Sequence, residues 1–356
     1  MEEVRVRLEN RSYPIYIGAG VLQGLGELCR PLGFSARGVL ITNPLIGQLY
    51  SEQVLSSFER IGITLTPLEV PDGEEYKSLE SARSLYERLL PLGLDRRSPI
   101  VALGGGVIGD LGGFVAATFM RGLPLIQIPT SLLAQVDSSV GGKVGVNLPQ
   151  AKNMVGAFYQ PRLVMSDVRL LRTLPLREFQ AGLAEVVKYG VIADKAFFEW
   201  LETNLPAILN RDEDGVIHIV KTSCQIKATV VERDERDEGV RAILNFGHTV
   251  GHAIEAATGY RELSHGEAVA IGMVTAARIS SHMGLCSKEV PLRLANLLQG
   301  IGLPIALPIS PELIVKLITY DKKIKEKLTY FVLTKGLGSV TVAPIVDPLE
   351  ALQTVS

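Results

Sequence analysis

The sequence predicts an α/β protein: a Rossmann-like parallel-sheet domain at the N-terminus, followed by a mainly α-helical domain. Two observations carry this. In the first half, short and nearly all-apolar runs end in turn residues and alternate with helical patterns, as the strands of a parallel sheet covered on both faces do. From about Leu174 onward the apolar period is mostly helical. A chain of 356 residues is long enough for two domains of ordinary size. The boundary is expected near Thr173-Leu174-Pro175, dividing the chain into 1–173 and 174–356.

The elements follow in order. Met1 to Leu8 is charged and alternating, which reads as a strand and not as a signal peptide. Strand-like runs follow at Gly38 to Asn43, Gly62 to Pro71, Ser98 to Gly104, Leu123 to Pro129 and Pro161 to Asp167. Helical patterns between them include Leu79 to Leu90 and Gly109 to Phe119. In the second half the candidate helices are 178–191, 217–231, 249–257, 267–282 and 311–319, with β-type segments at 328–334 and 339–343. The charge run Glu232 to Glu238 reads as a solvated connection.

Composition narrows the function classes. Apolar residues make up 47% and charged residues 21%, a globular balance, and the formal net charge is -2. No global field favours nucleic acid or an anionic membrane, and no apolar run approaches a membrane span. Cys29, Cys224 and Cys286 are scattered and odd in number, so disulfides are not expected and a reducing cytoplasm is the expected home.

Three regions hold groups suited to chemistry. Gly104-Gly105-Gly106 with Val107, Ile108, Gly109 and Asp110 follows a strand and opens a helix. Glycines let backbone approach a phosphate, and a helix N-terminus offers free N–H groups. Asp72, Gly73, Glu74, Glu75, Tyr76 and Lys77 follow the preceding strand, so they should reach the same sheet edge, where a Glu suits ribose hydroxyls. Alone, that stretch would be an ordinary charged surface turn. The second region runs from Thr130 and Ser131 through Asp137 to Lys143, with Arg121, Lys152 and Asn153 nearby. Clustered Lys, Arg and Asn suit an acidic small substrate, although each one singly would be a solubilising side chain.

The third region is the richest in histidine. Three of the five histidines, His248, His252 and His265, fall within eighteen residues. His248 and His252 are four apart and share a helical face, and His265 opens the next helix. Such a set can hold a divalent metal if another ligand joins, and Glu185 inside an apolar helical segment is a candidate. A single histidine on an apolar face is ordinarily a core residue, and spacing does not say which two of the three would bind. Lys188 is one turn from Glu185, and Arg241 and Asn245 directly precede the histidine helix. Lys227 and the pair Lys322-Lys323 add further cationic donors.

Taken together, the motifs from Asp72-Gly-Glu-Glu-Tyr-Lys77 through Leu-Asn-Phe-Gly-His248-Thr-Val-Gly-His252 and Ser-His265-Gly-Glu267 resemble the 3-dehydroquinate synthase family of sugar-phosphate cyclases. The resemblance runs from the first strands to at least Lys323; Ser131 stands where many members carry a second Thr. It implies a phosphate-eliminating lyase acting on 3-deoxy-D-arabino-heptulosonate 7-phosphate. Transient oxidation of the C5 alcohol by NAD+ would be followed by phosphate elimination, re-reduction, ring opening and aldol closure to 3-dehydroquinate. It implies Glu185, His248 and His265 as ligands of Zn2+ or Co2+, leaving His252 for proton transfer or phosphate contact. NAD contacts implied are Asn43, Asp72 to Lys77, Gly105, Gly106, Val107, Ile108, Gly109, Asp110, Thr130, Ser131, Lys143, Lys152, Leu170, Leu171, Arg172 and Thr173. Asp137 would lie near the nicotinamide and substrate. Substrate would be held by Lys143, Asn153, Lys188, Lys227, Arg241, Asn245 and one of Lys322-Lys323, and in a homodimer by Arg121 from the neighbouring subunit. Alternatives are another sugar-phosphate cyclase, a metal-dependent NAD polyol dehydrogenase and a non-catalytic NAD-binding protein.

Overall fold

A computed structural model describes residues 1–259, 262–321 and 329–355. Chain contacts divide it into two compact units, Met1–Leu174 with Val216–Arg236, and Pro175–Gly215 with Asp237–Ser356.

The first unit is built on strands β1 (Glu2–Val6), β2 (Tyr13–Gly18), β3 (Arg37–Thr42), β4 (Thr64–Glu69), β5 (Ile100–Gly104), β6 (Leu125–Pro129), the hairpin β7 (Lys143–Leu148) and β8 (Ala151–Phe158), and β9 (Leu163–Asp167). Helices α1 (Leu25–Cys29), α2 (Pro44–Glu59), α3 (Leu79–Leu89) and α4 (Gly106–Thr118) connect them. Seven strands form one sheet in the order β1-β2-β9-β6-β5-β3-β4. β1 and β2 pair antiparallel; every other pair in it is parallel. The β-rich runs predicted the interior strands β3, β5, β6 and β9 and the edge strand β4; β5, β6 and β9 are buried at every residue, with core on both faces. The strand order reverses between β3 and β5, so their carboxyl ends, Asn43 and Gly105-Gly106, flank the crevice where sheets of this kind take ligands.

Sequence periodicity passed over β2, α2 and the β7–β8 hairpin. α2 carries Leu45 and Leu49 on its exposed side, which blurs its apolar stripe. Its start is nonetheless well specified: Asn43 accepts the N–H of Ile46 and Pro44 occupies the first turn. The hairpin is mostly polar or exposed along β8, so alternation gives it no signature.

The second unit contains α5 (Leu176–Ala193) and α6 (Lys195–Leu209). Next in the chain is α7 (Glu213–Arg233), whose residues from Val216 onward group with the sheet unit. The second unit resumes with α8 (His248–Ala257), α9 (His265–His282), α10 (Glu289–Ile301), α11 (Pro311–Asp321), the hairpin β10 (Thr329–Gly336) and β11 (Ser339–Ile345), and α12 (Pro348–Gln353). α5 and α9 are the buried spine, each with thirteen buried residues.

Two expectations change. The segment 216–236 belongs with the first unit instead of lying in a continuous 174–356 domain. The Cys224 thiol donates to the Gln135 carbonyl and Lys221 pairs with Glu2 at 2.6 Å, contacts that sequence order does not suggest. The charge run is also not merely solvated. Glu232 accepts the Arg7 N–H at 2.7 Å, and Glu235 pairs with Arg11 at 2.8 Å and accepts from Gln160. Opposite charge on the N-terminal residues gives these acids a structural task.

Candidate functional site

In the sheet unit, the predicted loops gather at the carboxyl ends of the strands. Asn43 follows β3, Gly105 and Gly106 follow β5, and Thr130 and Ser131 follow β6. Asn43 Nδ2 donates to Asp72 Oδ1 at 2.9 Å, tying the loop after β4 to the same edge. α4 begins at Gly106, and its N-cap Gly105 has no side chain to take up the first N–H groups, which suits an anion seat. Lys77 is buried and donates to Asp110 Oδ2 at 2.5 Å and Asn153 Oδ1 at 2.6 Å. Glu74 accepts from Asn147 at 2.8 Å, and Asn147 in turn accepts the Asn153 N–H. Asn153, read from sequence as a substrate residue, thus sits among the residues read as NAD contacts, in a left-handed conformation with φ 57°. Asn147 was passed over, because a lone Asn in an unpredicted hairpin carries no local signal.

Other assigned residues of this unit are distributed as follows. Asp137 lies in a short π-helical turn, and Lys227 on α7 donates to its carbonyl at 2.7 Å and to its carboxylate at 2.8 Å. Lys143 is exposed at the start of β7 and Lys152 is half-buried on β8. Arg121 is exposed beyond α4 with φ 65°. Within the turn Val168–Thr173, Leu170 and Leu171 are buried, so contacts to a ligand from there fall to backbone, Arg172 or Thr173. Thr173 Oγ1 lies 2.6 Å from the Tyr50 hydroxyl. Ile108 is likewise core, its side chain packed against Gly104, so a ligand contact from it falls to backbone.

The helical unit brings three sequence-distant groups together. Glu185 on α5, His248 at the start of α8 and His265 at the start of α9 each offer a ligand atom, all within 4.8 Å of one another. Both imidazoles aim Nε2 at the same oxygen, Glu185 Oε1, at 3.6 Å each. Glu185 is fully buried, and Lys188 one turn later is ion-paired to its other oxygen. The helices approach this closely because they carry glycine at the contacts. A Cβ on Gly266 would overlap the Ala181 carbonyl of α5, and one on Gly272 would overlap the Gly247 carbonyl. α9 starts at His265 because Ser264 and Glu267 form a reciprocal capping box.

His252 is exposed, with its ring 5.4 Å from that of His248 and 6.2 Å from that of His265. Arg241 is buried and Asn245 exposed in the turn Val240–Asn245 that leads to α8. Lys322 and Lys323 lie outside the described residues. The sequence reading overlooked Glu255, which is buried on α8 with Oε2 3.4 Å from His265 Nδ1. Its signal was available: seven residues after His248 is two helical turns, on the same face.

Burial is the strongest influence on His248 and drives it down to about 3, with Glu185 opposing, so its imidazole is neutral and able to ligate. For His265 burial also acts downward, but the hydrogen bonds and charges of Glu185 and Glu255 outweigh it and raise it to about 10. Two buried carboxylates therefore demand positive charge at His265. A divalent cation coordinated by Glu185, His248 and His265 would meet that demand, and two imidazoles with one carboxylate are a suitable donor set for zinc-type metals.

A doubly wound sheet with glycine-opened helix, joined in sequence to a helical unit with a carboxylate–imidazole centre, defines the class of NAD-type, metal-centred α/β enzymes. Residues 67–181 match the family described as 3-dehydroquinate synthase N-terminal, and residues 182–324 match 3-dehydroquinate synthase C-terminal. The chain belongs to the 3-dehydroquinate synthase family. It is 52% identical to the 3-dehydroquinate synthase of Pelotomaculum thermopropionicum over 344 residues, covering 96% of this chain and 93% of that one. Among solved structures it is similar to 2-deoxy-scyllo-inosose synthase complexed with carbaglucose-6-phosphate, NAD+ and Co2+, with TM-score 0.90, 29% identity and 98% of each chain covered. It is also similar to 2-epi-5-epi-valiolone synthase from Streptomyces hygroscopicus subsp. jinggangensis with NAD+ and Zn2+ bound, with TM-score 0.88, 25% identity and 98% of each chain covered.

Proposed function

We propose that this chain is a phosphate-eliminating carbon–oxygen lyase that converts 3-deoxy-D-arabino-heptulosonate 7-phosphate to 3-dehydroquinate and phosphate. Family membership over nearly the whole chain carries the assignment, and the convergence of Glu185, His248 and His265 supports it. The loops at the carboxyl ends of β3 to β6, from Asn43, Gly105-Gly106 and Thr130-Ser131, would hold NAD, which when bound would supply reversible hydride chemistry at the substrate alcohol. Glu185, His248 and His265 would hold a divalent metal, which when bound would supply Lewis acidity at the substrate's oxygens.

The remaining residues bind and orient. Lys143, Asn153, Lys188, Lys227, Arg241, Asn245 and the pair Lys322-Lys323 provide fixed donors to the carboxylate and phosphate of the substrate. Lys188 also neutralises Glu185. Asp137, tied to Lys227, lines the substrate position next to the nicotinamide. His252 lies outside the proposed ligand set and would handle a proton or a phosphate oxygen. With phosphate positioned beside the C6 proton, correct orientation is the chain's main contribution to elimination. We further infer a cytoplasmic homodimer in which Arg121 completes the neighbour's site; the free thiols support a reducing compartment. Among the described residues no helix is long and apolar enough to cross a membrane.

Product analysis tests the assignment. With the heptulosonate phosphate and substoichiometric NAD, 3-dehydroquinate and one equivalent of phosphate should form, and a chelator should stop both. Phosphate release from sedoheptulose 7-phosphate instead would identify a different cyclase. Accumulating NADH with a simple polyol would identify a dehydrogenase. Sedimentation analysis of the purified chain tests the dimer.

A further inference from the structure

The two imidazoles facing Glu185 are built alike. His248 Nδ1 lies 3.2 Å from the Phe246 carbonyl, while its Nε2 faces Glu185 Oε1. His265 Nδ1 lies 3.4 Å from Glu255 Oε2, while its Nε2 faces that same Glu185 oxygen. Each ring thus has an acceptor behind it and the carboxylate in front. An acceptor at Nδ1 fixes the proton there, which leaves the Nε2 lone pair for coordination.

The two backing groups differ in how they arise. Phe246 O belongs to backbone two residues from its histidine, and chain geometry provides it. Glu255 is a side chain ten residues away on another helix, and only 6% exposed. A buried carboxylate is costly unless it is paired. α8 therefore carries a ligand, His248, and two turns later the group that faces the ligand from α9.

We propose that Glu255 is a positioning residue that accepts the Nδ1 proton of His265 and so commits Nε2 of that ring to the metal. This rests on the metal centre assigned above, and it gives a role to a residue outside the ligand set. His265 is the more exposed of the two rings, with its side chain 32% accessible against 13% for His248, so it has greater need of an orienting partner.

The test uses metal-free full-length protein titrated with Co2+ against a chromophoric chelator. Wild type should bind one ion per chain, and His265→Ala should bind far more weakly; failure of either result overturns the metal centre itself. Given that centre, Glu255→Ala should weaken binding about 10- to 100-fold and alter the Co2+ ligand-field spectrum. Glu255→Gln, which keeps an acceptor oxygen, should recover most of the affinity and the wild-type spectrum. Wild-type affinity and spectrum in Glu255→Ala would overturn the proposal alone. So would two ions per wild-type chain with loss of one in Glu255→Ala, since Glu255 would then be a ligand beside His252 and His265, which also offer atoms within 4.8 Å of it. A variant-free readout guards against misfolding: in zinc-loaded protein with 15N-labelled histidine, His265 should carry its proton on Nδ1. Metal on Nδ1 would refute the assignment.

Discussion

Gly266 lies against Ala181 so closely that a Cβ on Gly266 would overlap the Ala181 carbonyl oxygen. Gly266 follows His265, and Ala181 is one turn before Glu185. The contact therefore sets how closely His265 on α9 approaches Glu185 on α5, two of the proposed metal ligands. Gly266→Ala should cost at least about 1–3 kcal/mol in urea unfolding and weaken metal binding as well, because the helices must move apart. Gly24, where an added Cβ meets nothing within 4 Å, is the control. Gly24→Ala should stay within about 0.5 kcal/mol of wild type. Equal stabilities for the two variants would contradict the packing account.

His265→Ala removes a proposed ligand and not merely an orienting partner. Metal-supported turnover should disappear, with a loss beyond the about 10- to 100-fold typical of outer-shell changes. The loops proposed to hold NAD belong to the other compact unit, so NAD titration followed by fluorescence should be unchanged. Retained activity would remove His265 from the ligand set.

Lys77 is the cation beside Asp110 and a donor to Asn153. Lys77→Met should destabilise the protein by up to ~3 kcal/mol, since it strands a mostly buried carboxylate. Burial raises the Asp110 pKa, and the charge and hydrogen bond of Lys77 only oppose that rise. For an acid raised in the folded state, stability is fully present below its unfolded value and is lost as pH rises through the folded one. The gap between wild type and Lys77→Met should therefore be wider at pH 8 than at pH 5 in urea unfolding. A gap that widens toward acid would reverse the assignment.

Burial pushes the Cys29 and Cys224 thiols up to about 12. Both stay protonated through pH 9, where an ordinary thiol near ~8.5 is largely thiolate. Native protein should accept one iodoacetamide adduct at most, at half-buried Cys286, and three after denaturation. Rapid labelling of Cys29 in native protein between pH 7 and 9 would show that its core opens.

Much of this was legible before the structure. β3, β5, β6 and β9 announced themselves because both their faces are buried, which leaves runs such as Ile100 to Gly104 uniformly apolar, whereas the half-exposed edge strand β4 showed through its β-rich run bounded by turn residues. Where a segment is half exposed, as α2 and β8 are, the pattern dilutes and the elements were passed over. Glu185, His248 and His265 could be nominated from residue type and order, and the spacing of Glu255 from His248 put it on the same helical face, but Asn147 could not be nominated, because its Glu74 partner lies on another element.

By itself, the sequence determined the faces within each element. His248 and His252 share one side of α8, Glu185 and Lys188 share one side of α5, and Gly105-Gly106 must open a helix after β5. Local periodicity and capping set these, and they act over a few residues. Only the tertiary structure showed that His248 and His265 both turn Nε2 toward the same oxygen of Glu185. Likewise, only it showed that residues 216–236 pack with the sheet unit. Those outcomes depend on how closely two backbones approach across tens of intervening residues, which is set by the shapes packed between them and by glycines such as Gly266 and Gly272 that let the helices touch.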